Sequence, residues 1–135
     1  MRQTFLLAGL LFALKPALAQ SSPPAQSCDR ECLRGMLTSY LNAVVAHDPK
    51  ALPLAANARF TENTVEKPIG EGLWKTASGL GTFRQDIIDV RQGVAGTHIV
   101  IEENGTPVLF QVRLKVASGR ISEIDSTVVE IRPKE

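Results

Sequence analysis

Two cysteines and two histidines are the side chains of this sequence best suited to nucleophilic, redox or metal chemistry. Cys28 and Cys32 are spaced i, i+4, which is not the C-x-x-C spacing of a redox motif. A metal site at this pair would need further cysteine or histidine ligands, and the sequence offers only His47 and His98. We therefore expect a structural disulfide at a helix entrance, between the two cysteines or across a dimer, with free thiols as the alternative. A local bridge closes a small ring and should stabilise the fold only slightly.

Other catalytic signatures do not occur in the sequence. It contains no G-x-S-x-G elbow, P-loop or H-E-x-x-H motif. Glu102 and Glu103 are adjacent acids, but neighbouring strand residues point to opposite faces, so a glycosidase-type pair is not indicated. Fifteen Lys and Arg against fourteen Asp and Glu give a net charge of +1, which does not indicate a basic surface for nucleic acid. We expect no metal site and no nucleic-acid partner.

The first residues have the pattern of a secretory signal peptide. Arg2 supplies a positive charge, residues 5–14 are almost entirely apolar, and residues 17–19 form a small-x-small cleavage site. The alternative is a buried N-terminal helix. We predict a signal peptide over 1–19, a flexible tether over 20–27 and one domain over 28–132. The protein is then exported, periplasmic or secreted, with no integral membrane span, because no later segment approaches ~20 apolar residues.

A long amphipathic helix is predicted next. Its apolar residues recur at i, i+3, i+4 and i+7, as a helix buried on one face requires: Leu33, Met36, Leu37, Tyr40, Leu41, Val44 and Val45. Asp29 and Glu31 suit its N-terminal dipole. The helix should end before Pro49, where Asp48 caps a short second helix that Pro53 limits to a turn or two.

Strand signals follow from Arg59 onward. We predict a short extended segment over 59–63, a glycine-rich loop over 70–81, and an ambiguous segment over 82–90 that we assign as strand. Three stronger strands cover 97–103, 106–116 and 120–131, joined by turns at Asn104-Gly105 and Ser118-Gly119. The sequence therefore predicts an α+β fold in which the long helix covers one face of an antiparallel sheet.

This arrangement resembles the nuclear transport factor 2-like (cystatin-like cone) superfamily, whose enzymes include ketosteroid isomerases, scytalone dehydratases and SnoaL-like polyketide cyclases. Residues 40–48 and 54–60 resemble its helix-to-first-strand segment. Three further segments resemble exported bacterial and fungal proteins of this fold without a firm function: Arg59-Phe60-Thr61-Glu62-Asn63, Gly70-Glu71-Gly72-Leu73-Trp74 and Glu103-Asn104-Gly105-Thr106-Pro107. The resemblance covers residues 28–131. It implies a cone-shaped, curved antiparallel sheet wrapped around a long N-terminal helix and a short second helix.

The resemblance also implies two catalytic residues in an apolar pocket. Glu62 lies where similar isomerases carry their acidic base, and an apolar pocket raises the pKa of a carboxyl group. Its alternative is a solvated strand residue paired with Arg or Lys. Tyr40 lies where ketosteroid isomerases place a hydrogen-bond-donating tyrosine, and its alternative is a plain core residue. The strand expected to supply a protonated acid reads Phe110-Gln111-Val112-Arg113, so steroid isomerisation itself is not indicated.

Four other residues are further candidates, three for substrate contacts and the fourth, His98, for catalysis. Asn63 is placed to hold a substrate oxygen, although neighbouring strand residues face opposite ways. Trp74, between glycines, suits a lid that stacks on a flat ligand, or a core anchor. Arg84 suits a counter-charge to a carboxylate or enolate, or an exposed arginine. His98 is a proton shuttle if its face of the strand is concave, and a surface imidazole otherwise.

Together these residues predict a cofactor-independent lyase, dehydratase or isomerase that acts on a small aromatic or polyketide-like molecule entering beneath Trp74. Glu62 would remove a proton while Tyr40, with His98 or Asn63, stabilises the developing oxyanion. The alternative is a non-catalytic exported module that binds a small ligand or only mediates dimerisation. Many proteins of the superfamily dimerise through the outer face of the sheet, and the resemblance implies a homodimer here.

Overall fold

The structure is a computed structural model that describes residues 28–131. The predicted signal peptide and tether lie outside the described residues, as do residues 132–135. Within residues 28–131, no helix is long and apolar enough to cross a membrane.

Helix α1 (Arg30–Val45) follows the predicted periodicity. The side chain of Asp29 caps it by accepting a hydrogen bond from the backbone N–H of Cys32 at 2.9 Å. Its buried face carries Leu33, Leu37, Tyr40, Leu41, Ala43 and Val44. Cys28 and Cys32 form a disulfide within the chain, directly at the helix entrance.

The short second helix is a 3₁₀ turn over Pro49–Ala51. The Asp48 side chain accepts a hydrogen bond from the Lys50 N–H at 3.0 Å, as predicted for its cap. A further helix, α2 (Leu73–Thr76), lies within the predicted glycine-rich loop. The rest of the described chain is mainly strand: β1 (Leu54–Glu62), β2 (Val65–Glu66), β3 (Ala77–Asp89), β4 (Val94–Glu103), β5 (Thr106–Ala117) and β6 (Arg120–Glu130).

The six strands form one curved, unclosed sheet in the order β2-β1-β6-β5-β4-β3. Neighbouring strands are antiparallel except β1 and β6, which run parallel with Phe60 opposite Ile124. The sheet is therefore mixed, whereas the sequence predicted an antiparallel one. β1 and β6 are far apart in sequence, because the other four strands lie between them. No local sequence pattern encodes such a long-range pairing.

The predicted glycine-rich loop is too long at its C-terminal end, because β3 begins at Ala77. Gly79 and Gly81 are strand residues, and a Cβ atom at Gly81 would lie 2.8 Å from the carbonyl oxygen of Val100 on β4. Glycine here permits close backbone approach rather than a loop. The pairing of β3 with β4 is irregular around these residues. The strand assignment for residues 82–90 is confirmed.

Type I′-like turns connect β4 to β5 and β5 to β6. Asn104 and Gly105 have φ values of 49° and 81°, and Ser118 and Gly119 have 51° and 70°, which confirms both predicted hairpins.

Successive side chains along each strand point to opposite sides, so the sheet has two different faces. The inner face packs on α1 and includes Phe60, Ala95, Ile99, Ile101, Val108, Phe110, Val112, Leu114 and Ile124. The outer face carries the alternate residues, among them His98, Gln111 and Arg113.

Candidate functional site

Glu62 is the last residue of β1 and lies on the inner face of the sheet, only 6% exposed. Its Oε2 accepts a hydrogen bond from the backbone N–H of Leu73 at 2.9 Å. Its Oε1 lies 2.8 Å from Nζ of Lys67 in an ion pair. The carboxylate is therefore buried but not isolated, and it joins the end of β1 to the first residue of α2.

Gly72 makes that approach of the carboxylate possible. Its φ is +66°, and a Cβ atom at this position would lie 2.1 Å from Oε1 of Glu62. Any side chain there would displace the carboxylate, and an L residue is also strained at this φ. The glycine pattern of residues 70–74 thus has a specific role that the sequence did not reveal: it lets Glu62 reach the N–H of Leu73.

Tyr40 and Trp74 meet in the interior beside Glu62. Their rings are 5.4 Å apart between centroids and nearly perpendicular, at 89°, an edge-to-face geometry typical of aromatic pairs. Tyr40 is fully buried and Trp74 is 2% exposed. Neither the Tyr40 hydroxyl nor the Trp74 Nε1 has a hydrogen-bond partner in the structure. Leaving such a group unpaired costs about 1–3 kcal/mol, and within residues 28–131 these two are the buried side-chain groups without a partner.

The electrostatics at Tyr40 follow from its surroundings. Burial strongly raises the pKa of the hydroxyl, and the negative charge of Glu62 raises it further. The Trp74 indole acts in the opposite direction on this pKa. It lies near enough to favour the phenolate form, although it makes no hydrogen bond with the hydroxyl within normal distance and angle limits. Tyr40 is therefore a neutral hydroxyl at physiological pH, able to donate a proton in a hydrogen bond.

His47 fixes the position of Trp74. It follows α1 with a φ of 57°, and its Nδ1 forms a hydrogen bond with the carbonyl oxygen of Trp74. Because a carbonyl can only accept, Nδ1 must carry the proton. The sequence did not predict this role of His47, because its position at the end of the predicted helix was the only feature that distinguished it.

A cavity of about 480 Å³ has Lys67 in its lining. It is lined by Ala58, Arg59, Phe60, Glu66, Lys67, Pro68 and Ile69. Lys67 thus lines this cavity and also contacts Glu62, whereas Glu62, Tyr40 and Trp74 are not among the lining residues. Lys67 is itself partly exposed, with 32% of its side chain accessible.

The hydrogen bonds of the Asn63 and Arg84 side chains are made with residues other than Glu62 and Tyr40. The Asn63 side chain accepts a hydrogen bond from the backbone N–H of Val128 at 2.9 Å, which extends the contact between β1 and β6. Arg84 lies on the inner side of β3, where its Nε donates to Asp86 at 2.8 Å and its Nη2 donates to Thr38 of α1 at 3.0 Å. Both side chains thus have polar partners within the fold.

His98 lies on the outer face of β4, across the sheet from Glu62 and Tyr40. Its Nε2 is 2.6 Å from the Gln111 amide nitrogen on β5. Both residues line a cavity of about 630 Å³ on this face, together with Thr61, Thr64, Ile87, Asp89, Val94, Gly96, Thr97, Val112, Arg113, Asp125, Ser126 and Thr127. The imidazole is therefore separated from the interior by the sheet itself.

The polar side chains of this outer cavity are held in place by one another. Asp125 accepts a hydrogen bond from the Thr61 hydroxyl at 2.8 Å and one from Nε of Arg113 at 2.9 Å. Arg113 also pairs with Glu123 at 2.6 Å. The pKa of Arg113 is raised, chiefly by the hydrogen bond to Glu123, while partial burial opposes the shift.

No group of three or more His, Cys, Asp or Glu side chains that could hold a metal ion occurs within residues 28–131. The interior instead contains one carboxylate, paired with Lys67 and the Leu73 N–H, near two buried polar groups that lack partners, those of Tyr40 and Trp74. Such an arrangement is suited to proton transfer and to hydrogen bonding of a ligand oxygen.

Comparisons with known proteins give similarity in structure without similarity in sequence. No protein-family model matches the chain, and no curated protein matches it. A nuclear transport factor 2-like protein of unknown function from Burkholderia xenovorans superposes with a TM-score of 0.59 at 13% identity, covering 76% of this chain and 87% of that one.

Two similar structures belong to proteins described as enzymes. A proposed ketosteroid isomerase from Kribbella flavida has a TM-score of 0.56 at 11% identity, covering 76% of this chain and 82% of its own. IdmH, a proposed polyketide cyclase from Streptomyces antibioticus, has a TM-score of 0.54 at 16% identity, covering 71% and 91%. The expected architecture is confirmed: this chain has the nuclear transport factor 2-like fold.

Proposed function

We propose that this protein is a cofactor-independent lyase, dehydratase or isomerase that removes a proton from a small aromatic or polyketide-like molecule. The observation that carries the proposal is the placement of the Glu62 carboxylate and the unpartnered Tyr40 hydroxyl in one apolar interior. The similar structures of a proposed isomerase and a proposed cyclase support it at the level of the fold.

In the proposed mechanism, Glu62 takes a proton from a carbon next to a carbonyl group. The electron pair of the C–H bond moves to the carbonyl oxygen, which becomes an enolate stabilised by a hydrogen bond from Tyr40. In an isomerase, the proton returns from Glu62 to another carbon. In a dehydratase, a hydroxyl group leaves and takes the proton with it as water. Each route regenerates the carboxylate without any other reactant.

Glu62 must first exchange one of its present partners for the substrate. The ion pair with Lys67 is the more easily exchanged contact, because Lys67 is partly exposed and borders the 480 Å³ cavity. The hydrogen bond from Leu73 can remain and orient the carboxylate. We therefore place the substrate entrance at Lys67. Trp74, which was expected to cover the entrance, is a buried residue deeper in the site.

The test is turnover of a pooled mixture of phenolic, lactone and polyketide-like compounds, followed by mass spectrometry. Glu62→Gln removes the basic carboxylate but keeps an oxygen that can accept from the Leu73 N–H. Glu31→Gln is the matched control, because Glu31 is exposed on α1 and pairs with Arg34 away from this cavity. We expect wild type and Glu31→Gln to convert the same compound and Glu62→Gln to leave it unchanged. Conversion by Glu62→Gln would reject Glu62 as the base.

A second candidate function is non-catalytic binding of a small molecule on the outer face. The 630 Å³ cavity around His98 and Gln111 favours it, since its volume falls in the range of ligand sites. In this case, compounds from the pool are retained unchanged, Glu62→Gln retains them equally, and His98→Ala with Gln111→Ala releases them. Retention that depends on Glu62 instead would argue against this candidate.

We further propose that the protein is exported and forms a homodimer through the outer face. The Cys28–Cys32 disulfide supports export, because disulfides persist in oxidising compartments. On the outer face, Leu109 and Val129 lie opposite each other on β5 and β6. They are 39% and 50% exposed, a pair of apolar side chains that a partner would cover.

A further inference from the structure

Lys67 and Glu62 are arranged as a nucleophile and its base. Nζ of Lys67 lies 2.8 Å from Oε1 of Glu62, and Lys67 also lines the 480 Å³ cavity. The other carboxylate oxygen, Oε2, accepts a hydrogen bond from the Leu73 N–H at 2.9 Å, which fixes the orientation of the carboxylate. An amine within hydrogen-bonding distance of a base that a third group orients is the arrangement of an activated nucleophile. The Lys67 ammonium group can therefore pass a proton directly to Glu62.

A second lysine–glutamate pair shows what is particular to Lys67. Nζ of Lys75 lies 2.6 Å from Oε2 of Glu71, but these two side chains are 61% and 46% exposed, and neither residue lines the 480 Å³ cavity. The side chains of Lys67 and Glu62 are 32% and 8% exposed. Water solvates and screens the charges of the exposed pair. Lys67 thus combines the same kind of contact with lower exposure and with a cavity in which a ligand can reach it.

The cavity offers a small carbonyl compound an apolar surface next to the Lys67 amine. Its volume of about 480 Å³ falls in the range of small-molecule sites, and its apolar lining residues are Ala58, Phe60, Pro68 and Ile69. The Lys67 N–H donates to the Phe60 carbonyl oxygen at 3.0 Å, and Pro68 restricts the backbone conformation of the residue before it. The amine is therefore presented to the cavity from a fixed backbone.

We propose that Lys67 forms an iminium with a carbonyl carbon of a small 1,3-dicarbonyl compound. The Lys67 nitrogen gives a proton to Glu62 and attacks the carbonyl carbon, so that a C–N bond forms. The C=O bond then breaks, and its oxygen leaves as water with two hydrogens of the original ammonium group, passed on by Glu62. The nitrogen of the resulting C=N bond carries the positive charge that the ammonium carried. The buried carboxylate therefore keeps a cation beside it, as its burial requires.

Glu62 then takes a proton from the carbon between the two carbonyl groups. The electron pair of this C–H bond moves toward the iminium nitrogen, so the nitrogen and the carboxylate lose their charges together and an enaminone is formed. Water reverses the sequence and releases the ligand. This inference rests on the proposed function for Glu62 as the proton acceptor, and it differs from it in the electron acceptor, which is the Lys67 nitrogen instead of the ligand oxygen. It also narrows the polyketide-like substrate to compounds with two carbonyl groups on one carbon.

The test uses 2,4-pentanedione, a 1,3-dicarbonyl compound whose enaminone with an amine absorbs in the near ultraviolet. The protein is incubated with this probe at neutral pH, the absorbance is followed, and the labelled lysines are identified by digestion and mass spectrometry. We expect Lys67 to gain the mass of the probe less one water molecule about 100-fold faster than Lys75, which is the lower end of what a positioned base contributes. Equal rates at the two lysines, or no label at Lys67, would overturn the inference.

Three variants identify the groups responsible. Lys67→Met removes the amine and should lose the fast phase of labelling, whereas Lys75→Met is the control and should keep it. Circular dichroism shows whether each variant is folded, and the rates at single lysines of the wild type decide the question if Lys67→Met is not. A fast phase that persists in folded Lys67→Met would overturn the inference.

Glu62→Gln keeps the amine and removes the proton acceptor. Lys67 of this variant should therefore react no faster than Lys75. Faster labelling of Lys67 in Glu62→Gln than in wild type would also overturn the inference, because the carboxylate would then only hold the amine protonated.

The covalent step and the proposed function fail separately. If Glu62→Gln abolishes turnover of the compound pool while Lys67 of the wild type reacts no faster than Lys75, the covalent step is wrong and Glu62 remains the base. If Lys67 is labelled selectively while Glu62→Gln still converts the compound that wild type converts, the proposed function is wrong and the reactive lysine remains.

Discussion

Lys67 and Glu62 form an ion pair of 2.8 Å, and Lys67 also lines the 480 Å³ cavity. The backbone N–H of Lys67 also donates to the carbonyl oxygen of Phe60 at 3.0 Å. The residue that neutralises the buried carboxylate is thus attached to the same strand that carries it. In the proposed mechanism, this attachment holds the backbone of Lys67 while its side chain gives way to the substrate.

Replacing Lys67 by Met should destabilise the protein. The change removes the cation and leaves the buried carboxylate with only the Leu73 N–H, so we expect the free energy of unfolding to fall by about 1–3 kcal/mol. Urea unfolding measures this. Lys75→Met is the control, because Lys75 is exposed and its pair with Glu71 should contribute less than about 1 kcal/mol. Equal losses in the two variants would contradict the importance of the Lys67–Glu62 contact.

Tyr40→Phe should separate stability from activity. The variant removes a buried hydroxyl without a partner, so we expect the free energy of unfolding to stay the same or rise by about 1 kcal/mol. Turnover should fall about 100-fold, as for loss of one oxyanion donor. Thermal unfolding and steady-state kinetics on the same samples give both values. A large loss of stability would mean that the hydroxyl has a structural partner in solution.

Asp86 should make stability depend on acidic pH. Burial raises its pKa, but hydrogen bonding and charge from Arg84, with the charge of Arg34, outweigh burial and hold the pKa below the ordinary value of 3.8. A carboxyl group with a depressed native pKa contributes stability that is complete above the unfolded pKa and is lost as the pH falls through the native one. Asp86→Asn should therefore be less stable than wild type near neutrality, with the difference shrinking below a pH of about 4.

The measurement is the free energy of unfolding in urea at several pH values from about 7 to about 2. Asp89→Asn is a suitable control, since Asp89 is an exposed residue at the end of the same strand. A difference between Asp86→Asn and wild type that stays constant across this range would show that the Asp86 charge does not stabilise the native state.

Reduction of the Cys28–Cys32 disulfide should have a modest effect. The bond joins residues four positions apart, so it restricts the unfolded chain little, and we expect a loss of at most about 2 kcal/mol. Helix α1 should persist, because its Asp29 cap and its buried face do not depend on the bond. Circular dichroism with and without reductant tests this, with a Cys28→Ser, Cys32→Ser double variant as reference. Loss of the folded state on reduction would refute the expectation.

The proposed homodimer can be tested at Leu109. Introducing a charge with Leu109→Glu should produce a monomer, because the apolar pair with Val129 would no longer be covered favourably. Light scattering coupled to size-exclusion chromatography gives the mass. Val65→Glu is the control on β2, where the valine is 57% exposed. A wild-type protein that is monomeric at micromolar concentration would argue against the dimer.

Local features of this protein are determined by its sequence. The apolar periodicity of α1, the Asp29 and Asp48 caps and the turn at Asn104-Gly105 were predictable because each depends on residues close together in the chain. The turn at Asn63 and Thr64 was missed, since β2 is only two residues long and gives no recognisable strand pattern. The likeness to the nuclear transport factor 2-like fold followed from the order of these local elements.

The tertiary structure decided the properties of the site. In the sequence, Gly79 and Gly81 are as compatible with a loop as with a strand. Only the close approach of β4 shows why glycine occurs at these strand positions. Likewise, the sequence predicts Glu62 and Tyr40 as site residues. Only the tertiary structure shows that the Glu62 carboxylate has hydrogen-bonding partners and that the Tyr40 hydroxyl has none. Their surroundings come from α2 and the loop before it, which reach the interior only after the chain has folded. Burial and hydrogen bonding depend on such distant contacts, and residue type alone does not specify them.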